Sequence, residues 1–141
     1  MKKRSVKKSV SREGTAAKRE AQLRKIAQSY FDGLAKKDLS AVPYAQNATL
    51  RAPLNPNGGA EIPIVGRVNI LAFLNPLLPN LGKIEVIRHC VEGDWVCSRA
   101  NVGLVSDPPR ALRVVDCFRV ERGQIVEQEN HYDPRPALAP A

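Results

Sequence analysis

A chain of 141 residues, 43% of them hydrophobic, has room for one globular domain around a single core. No apolar run approaches the ~18 residues that a membrane-spanning helix needs, and the opening Met1-Lys2-Lys3-Arg4 is not followed by the apolar stretch of a secretory leader. The net charge of +8 sits entirely in residues 1–25, which hold ten Lys/Arg against two Glu, while the remaining 116 carry twelve of each sign.

Residues 1–19 therefore read as a basic, disordered tail, solvated by its own charge. Such a tail can also serve as an arm for nucleic acid or an anionic surface, but no aromatic residue is interleaved to stack on bases. Thr15 is a candidate N-cap. Beyond it, Leu23, Ile26, Ala27, Tyr30, Phe31 and Leu34 recur at the spacing of a helix with one buried stripe. Asp38 can cap a short second helix that Pro43 stops. Residues 48–52 suit a strand, and the Pro- and Gly-rich stretch 53–63 a loop. Gly66 precedes a helix expected over Arg67 to Leu78, its last turn distorted by Pro76. Strands follow over 83–92, 95–104, 111–120 and 124–132, joined by tight turns at Glu92-Gly93-Asp94 and Glu121-Arg122-Gly123. From Pro134 onward the chain is rich in Pro and Ala and needs no fixed structure, so residues 137–141 are expected to be a flexible terminus.

Helices first and hairpin-linked strands afterwards give an α+β fold with an antiparallel sheet. Cys90, Cys97 and Cys117 all fall in predicted strands. An odd number without CxxC spacing argues against a disulfide framework or a zinc site and points to a reducing, cytoplasmic setting.

The most informative strand is 111–120. Alternation puts Leu112, Val114, Asp116, Phe118 and Val120 on one face, apolar but for a single carboxylate. A buried Asp either pairs with donors or has a perturbed pKa, and both make it a site candidate. Two neighbouring faces offer it polar company: Trp95, Cys97, Arg99 and Asn101 on one strand, Gln128, Asn130 and Tyr132 on the other. Trp95, Arg99, Asn101, Asp116, Phe118, Gln128, Asn130 and Tyr132 are accordingly expected inside, lining a pocket with Tyr30, Phe73 and His89. Burial would raise the pKa of Asp116 and Arg99 would lower it. An internal Asp116–Arg99 ion pair that merely fixes register is the structural alternative. His89 is also open to reading as a satisfied structural histidine.

The order of these features resembles the nuclear-transport-factor-2-like superfamily, and its SnoaL-like branch in particular. The matching residues are the long first helix ending before Lys37-Asp38-Leu39 and the Gly66-Arg67 helix start. The run Asp116-Cys117-Phe118-Arg119-Val120-Glu121-Arg122-Gly123-Gln124-Ile125-Val126-Glu127, followed by Tyr132-Asp133-Pro134, completes the likeness. It covers roughly residues 20–136. The resemblance implies a cone-shaped, curved antiparallel sheet wrapped around helices, a small-molecule pocket at the wide end, and a homodimer formed through the outer face of the sheet. Asp116 matches the acid/base aspartate of SnoaL-like polyketide cyclases. Arg99-Ala100-Asn101 resembles the Arg-x-Asp of limonene epoxide hydrolases, and Asn130 falls where those enzymes place a second Asp. With Asn at both hydrolase Asp positions, the implied chemistry is that of a cyclase or ketosteroid isomerase. It would be cofactor-independent proton transfer on a small apolar carbonyl or hydroxyl compound, with Asp116 as acid/base assisted by Arg99 and Asn101. The alternative is a non-catalytic ligand-binding or dimerisation module of the same fold.

Overall fold

The expected helical stripe is realised in α1 (Lys2–Lys36), whose residues Leu23, Ile26, Ala27, Tyr30, Phe31 and Leu34 are all buried. The structure is a computed structural model that describes residues 2–138, with side chains from residue 14 onward. α1 begins well before Thr15 and runs through Gly14, a break costing about 1 kcal/mol that the surrounding Ala, Lys, Arg and Glu offset. Most of the expected basic tail falls in residues 1–13, whose side chains lie outside the described residues, and α1 is drawn back to Lys2. Lys37 ends α1 in the left-handed region at φ 57. Its Nζ reaches the carbonyls of Leu78 at 2.8 Å and Leu81 at 2.7 Å, tying the helix end to a distant segment.

The short helix expected after Asp38 does not form. Asp38 Oδ1 instead accepts the Ser40 N–H at 2.9 Å, and Pro43 follows too soon for a second turn. β1 (Tyr44–Arg51) starts directly after it, earlier than expected. A 3₁₀ turn (Gly59–Glu61) and β2 (Ile64–Val65) occupy the expected loop, with β2 antiparallel to β1. α2 (Arg67–Leu74) passes into a 3₁₀ segment (Asn75–Asn80) because Pro76 and Pro79 cannot sustain α-helical hydrogen bonding.

Four strands then follow in sequence: β3 (Leu81–Glu92), β4 (Trp95–Leu104), β5 (Arg110–Glu121) and β6 (Gln124–His131). The six strands form one sheet in the order β2-β1-β6-β5-β4-β3. The expectation of a wholly antiparallel sheet is corrected at one place, since β1 lies parallel to β6. The β5–β6 hairpin turns at Arg122-Gly123, with φ 51 and 75. Two successive left-handed residues are what a two-residue turn matching strand twist requires. Arg19 of α1 secures the adjoining hairpin ends, donating to Asp94 Oδ1 at 3.0 Å and the Val120 carbonyl at 2.8 Å.

One face of the sheet packs on α1 and the other is outermost. A final helical turn, α3 (Arg135–Leu138), follows Pro134, and residues 139–141 of the expected flexible terminus lie outside the described residues. Among the described residues no helix is long and apolar enough to cross a membrane.

Candidate functional site

Register decides which side chains meet. His89 on β3 is directly opposite Ser98 on β4, Ser98 is opposite Asp116 on β5, and Asp116 is opposite Asn130 on β6. Directly opposed residues share a face, so these four make one polar row across the inner side of the sheet. The next row along is Val91, Val96, Phe118 and Gln128.

This register overturns part of the expected site. On β4 the buried set is Val96, Ser98, Ala100 and Val102, while Trp95, Cys97, Arg99 and Asn101 take the outer face. Arg99 is exposed and stands opposite Val115, and Asn101 donates to Glu85 Oε1 at 3.0 Å. Neither reaches Asp116. The supposed Asp116–Arg99 ion pair does not exist, and Trp95 is not a pocket wall. The reason is the pattern of apolar pairing: Val96, Ala100 and Val102 oppose Phe118, Val114 and Leu112, and burying those six sets the strand's parity. On β3 an irregularity between Val86 and Arg88 likewise breaks the alternation, so that His89 faces inward with Val91 while Glu85 and Ile87 are exposed.

Above the polar row lies a cavity of about 400 Å³, within the range of small-molecule sites. Its floor is Asp116, Asn130 and Tyr30, with Tyr132 to one side. Its walls are Leu34 from α1, Phe73 and Leu74 from α2, Leu77 and Leu78 from the 3₁₀ segment, and Val102, Leu112 and Val114 from the sheet. Pro136, Ala137 and Leu138 of α3 complete the rim. Of the expected ligand contacts, Asp116, Asn130, Tyr132, Tyr30 and Phe73 thus line one cavity. Phe118 is fully buried beneath it, edge-on to Tyr30 and Phe31 with ring centroids 5.4 and 6.4 Å away. Gln128 is also below the floor, where its Oε1 accepts the Tyr44 hydroxyl proton. His89 lies at the far end of the polar row and does not border the cavity.

Asp116 is 1% exposed, and its Oδ1 has no hydrogen-bond partner. Burial alone pushes its pKa from 3.8 up to about 8; the cation expected to oppose that shift is on the other side of the sheet. Tyr30 is held protonated chiefly by burial and secondly by the Asp116 carboxylate, and Tyr132 by the same two causes in the same order. The cavity therefore presents a carboxyl group that changes charge near neutral pH, beside two phenols that remain hydrogen-bond donors. Asn130 Oδ1 is buried without a partner as well, so the cavity floor keeps unspent hydrogen-bonding capacity.

Sequence reasoning missed two supports of this floor. Ser98 is wholly buried and was concealed in a set of small residues, although a lone hydroxyl on an apolar face carries the same signal as a lone carboxylate. Tyr44 escaped because β1 was placed four residues late. Tyr44→Phe should leave Gln128 Oε1 without its donor and lower stability by ~1–2 kcal/mol in urea unfolding. An unchanged midpoint would remove Tyr44 from the account of the floor.

The cysteines form a row of their own on the outer face. Cys97 is opposite both Cys90 and Cys117, and all three are free thiols. Among the described residues no cluster of His, Cys, Asp and Glu could hold a metal ion.

Comparison with known proteins agrees with this geometry. Residues 27–128 match the family model of the SnoaL-like domain. No curated protein matches the chain. Among solved structures, a candidate SnoaL-like polyketide cyclase from Jannaschia sp. CCS1 superposes with a TM-score of 0.71 at 18% identity, covering 86% of this chain and 94% of that one. A steroid delta-isomerase from Pseudomonas aeruginosa gives 0.63 at 23%, covering 81% of each chain. A de novo designed protein with a curved β-sheet gives 0.66 at 18%, covering 82% of this chain and 88% of its own. At these identities the structural likeness concerns the fold, and a designed protein shares it, so function has to be argued from the site.

Proposed function

The chain belongs to the SnoaL-like domain family, and from that premise we propose that it carries out cofactor-independent proton transfer on a small, largely apolar carbonyl or hydroxyl compound. The observation that carries this reading is Asp116: a buried carboxyl with an unpartnered oxygen, lining a largely apolar cavity. A pKa of about 8 keeps both protonation states accessible at neutral pH, the condition under which one group can take a proton from carbon and return it. Carboxylate Asp116 removes a proton next to the substrate carbonyl, and the resulting carboxylic acid redelivers it to a second carbon or to oxygen. The Tyr30 and Tyr132 hydroxyls are the donors available to the developing enolate oxygen. The apolar walls exclude water, which strengthens those hydrogen bonds and keeps Asp116 basic.

Deuterium uptake from D₂O into a panel of hydrophobic ketones, followed by proton NMR, tests the reading. The protein should accelerate exchange at the carbon next to the carbonyl of at least one compound, and Asp116→Asn should lower that rate by about 10²–10⁴-fold. Exchange at an undiminished rate in Asp116→Asn would refute the role of Asp116. Saturable binding of ketones without any exchange would instead favour a ligand-binding module.

A further inference from the structure

The polar row extends past Asp116 to groups that the proton-transfer chemistry does not use. Ser98 Oγ lies 2.6 Å from His89 Nδ1, His89 Nε2 lies 2.8 Å from Gln28 Oε1, and Gln28 Nε2 donates to Asp32 Oδ1 at 2.9 Å. The direction of each bond in this chain can be worked out from its outer end. A carboxylate only accepts, so Asp32 accepts a hydrogen bond from the Gln28 amide N–H, which leaves Gln28 Oε1 facing His89. That oxygen also only accepts, so the neutral imidazole carries its proton on Nε2. Nδ1 is then a bare lone pair, and the bond to Ser98 can form only if the Ser98 hydroxyl donates. Burial, seconded by Arg24, holds His89 below its ordinary pKa and so neutral at pH 7, against a smaller opposing effect of Asp32.

The consequence reaches Asp116. Ser98 is the hydroxyl directly opposite Asp116 on the adjacent strand, and it is 0% exposed. A serine has one proton to give. We propose that His89 is a positioning residue that holds the Ser98 proton away from Asp116, leaving the carboxylate without a donor from the neighbouring strand. The unpartnered Asp116 Oδ1 is the direct counterpart of that arrangement. Arg110 lines the same cavity, and the ionisable groups coupled to Asp116 from the surrounding elements include Tyr30 from α1, Tyr44 from β1 and Tyr132 after β6; burial holds all three above their ordinary pKa and therefore neutral. Arg24 and Asp32 of α1 face His89. This inference rests on the proposed role of Asp116 and adds the means by which the fold keeps that group a usable base.

The test is carbon-13 NMR titration of the Asp116 carboxyl in protein labelled at the aspartate side-chain carbon, its resonance assigned by its loss in Asp116→Asn. The wild-type carboxyl should titrate near pH 8. In His89→Phe the Ser98 hydroxyl is free to turn and donate to the carboxylate, and the titration midpoint should fall by about one to two pH units. His89→Asn, which retains an acceptor near the position of Nδ1, should stay close to wild type. In a Ser98→Ala background His89→Phe should have no effect, because the route between the two groups is gone. Gln28→Leu releases the tautomer constraint from outside the core and should move the midpoint in the same direction as His89→Phe, which keeps the test open if the latter does not fold. A wild-type midpoint near 8 that neither His89→Phe nor Gln28→Leu moves would overturn the inference alone. A wild-type midpoint near 4 would overturn both the inference and the function on which it rests.

Discussion

Asp116→Asn should abolish most of the pH dependence of stability between pH 5 and pH 8. The folded-state pKa of about 8 is above the unfolded value of 3.8, so the folded chain holds a proton that the unfolded chain has already released. Stability from this group is complete below pH ~4, declines as pH rises, and levels off above pH ~8. Between pH 5 and pH 8 this group should cost the wild-type protein ~4 kcal/mol. Asparagine has nearly the shape of the protonated acid and no charge to desolvate, so the variant should lose that decline, keep only the smaller rise with pH that His89, held below its ordinary pKa, contributes, and be more stable than wild type at pH 8. Urea unfolding at three pH values for both proteins measures this. Parallel curves would mean that Asp116 is either solvated or paired in the folded state. Stability gained by removing the group, together with activity lost, is the pattern expected when a fold tolerates strain at its site.

The second large effect separates core from cavity. Phe118 and Phe73 were both expected to contact ligand, but Phe118 is fully buried within the aromatic cluster of Tyr30 and Phe31, whereas Phe73 lines the cavity and is half-buried. Phe118→Ala should cost about 4 kcal/mol, combining lost burial with an unfilled hole beneath the floor. Phe73→Ala enlarges a space that already exists and should cost only about 1 kcal/mol. It should weaken binding of an apolar probe such as 2-naphthol by about tenfold, through lost apolar contact. Paired unfolding curves and fluorescence titrations read both effects. Equal destabilisation by the two substitutions would place Phe73 in the core and redraw the cavity.

The strands of the second half and the buried stripe of α1 were legible because period 2 and period 3.6 are strong where one face is apolar. The cavity's polar floor was legible for a related reason, since Asp116, Asn130 and Tyr132 interrupt faces that are otherwise apolar or meet Asp116 across the ladder. The parity of β4 was misread. Placing Arg99 and Asn101 inside gave Asp116 the partners that a buried charge requires, but the fold resolves that requirement by protonation instead of pairing. The small apolar set Val96, Ala100 and Val102 held the correct answer. β6 defeats simple alternation, since Ile125 is buried along with Gln128 and Asn130. A register shift between Arg119 and Val120 produces that break, and no single residue type announces it. The beginning of β1 was hidden by Pro43, read as the stop of a helix that does not form, whereas the strand opens directly after it.

The parallel pairing of β1 with β6 imposes an order of events on folding. Tyr44 and its partner Gln128 are 84 positions apart, and closing so long a loop is costly before other contacts reward it. On a ribosome the apolar face of β1, with Tyr44, Ala48 and Leu50, leaves the exit tunnel long before the strand that will cover its edge has been made. β3, β4 and β5 can pair with their neighbours in the order of synthesis, and β1 with β2, whereas the other edge of β1 waits for the last strand. A nascent chain halted before Gln124 therefore carries an assembled meander and an unpaired edge, and the final strand joins the two halves of the sheet.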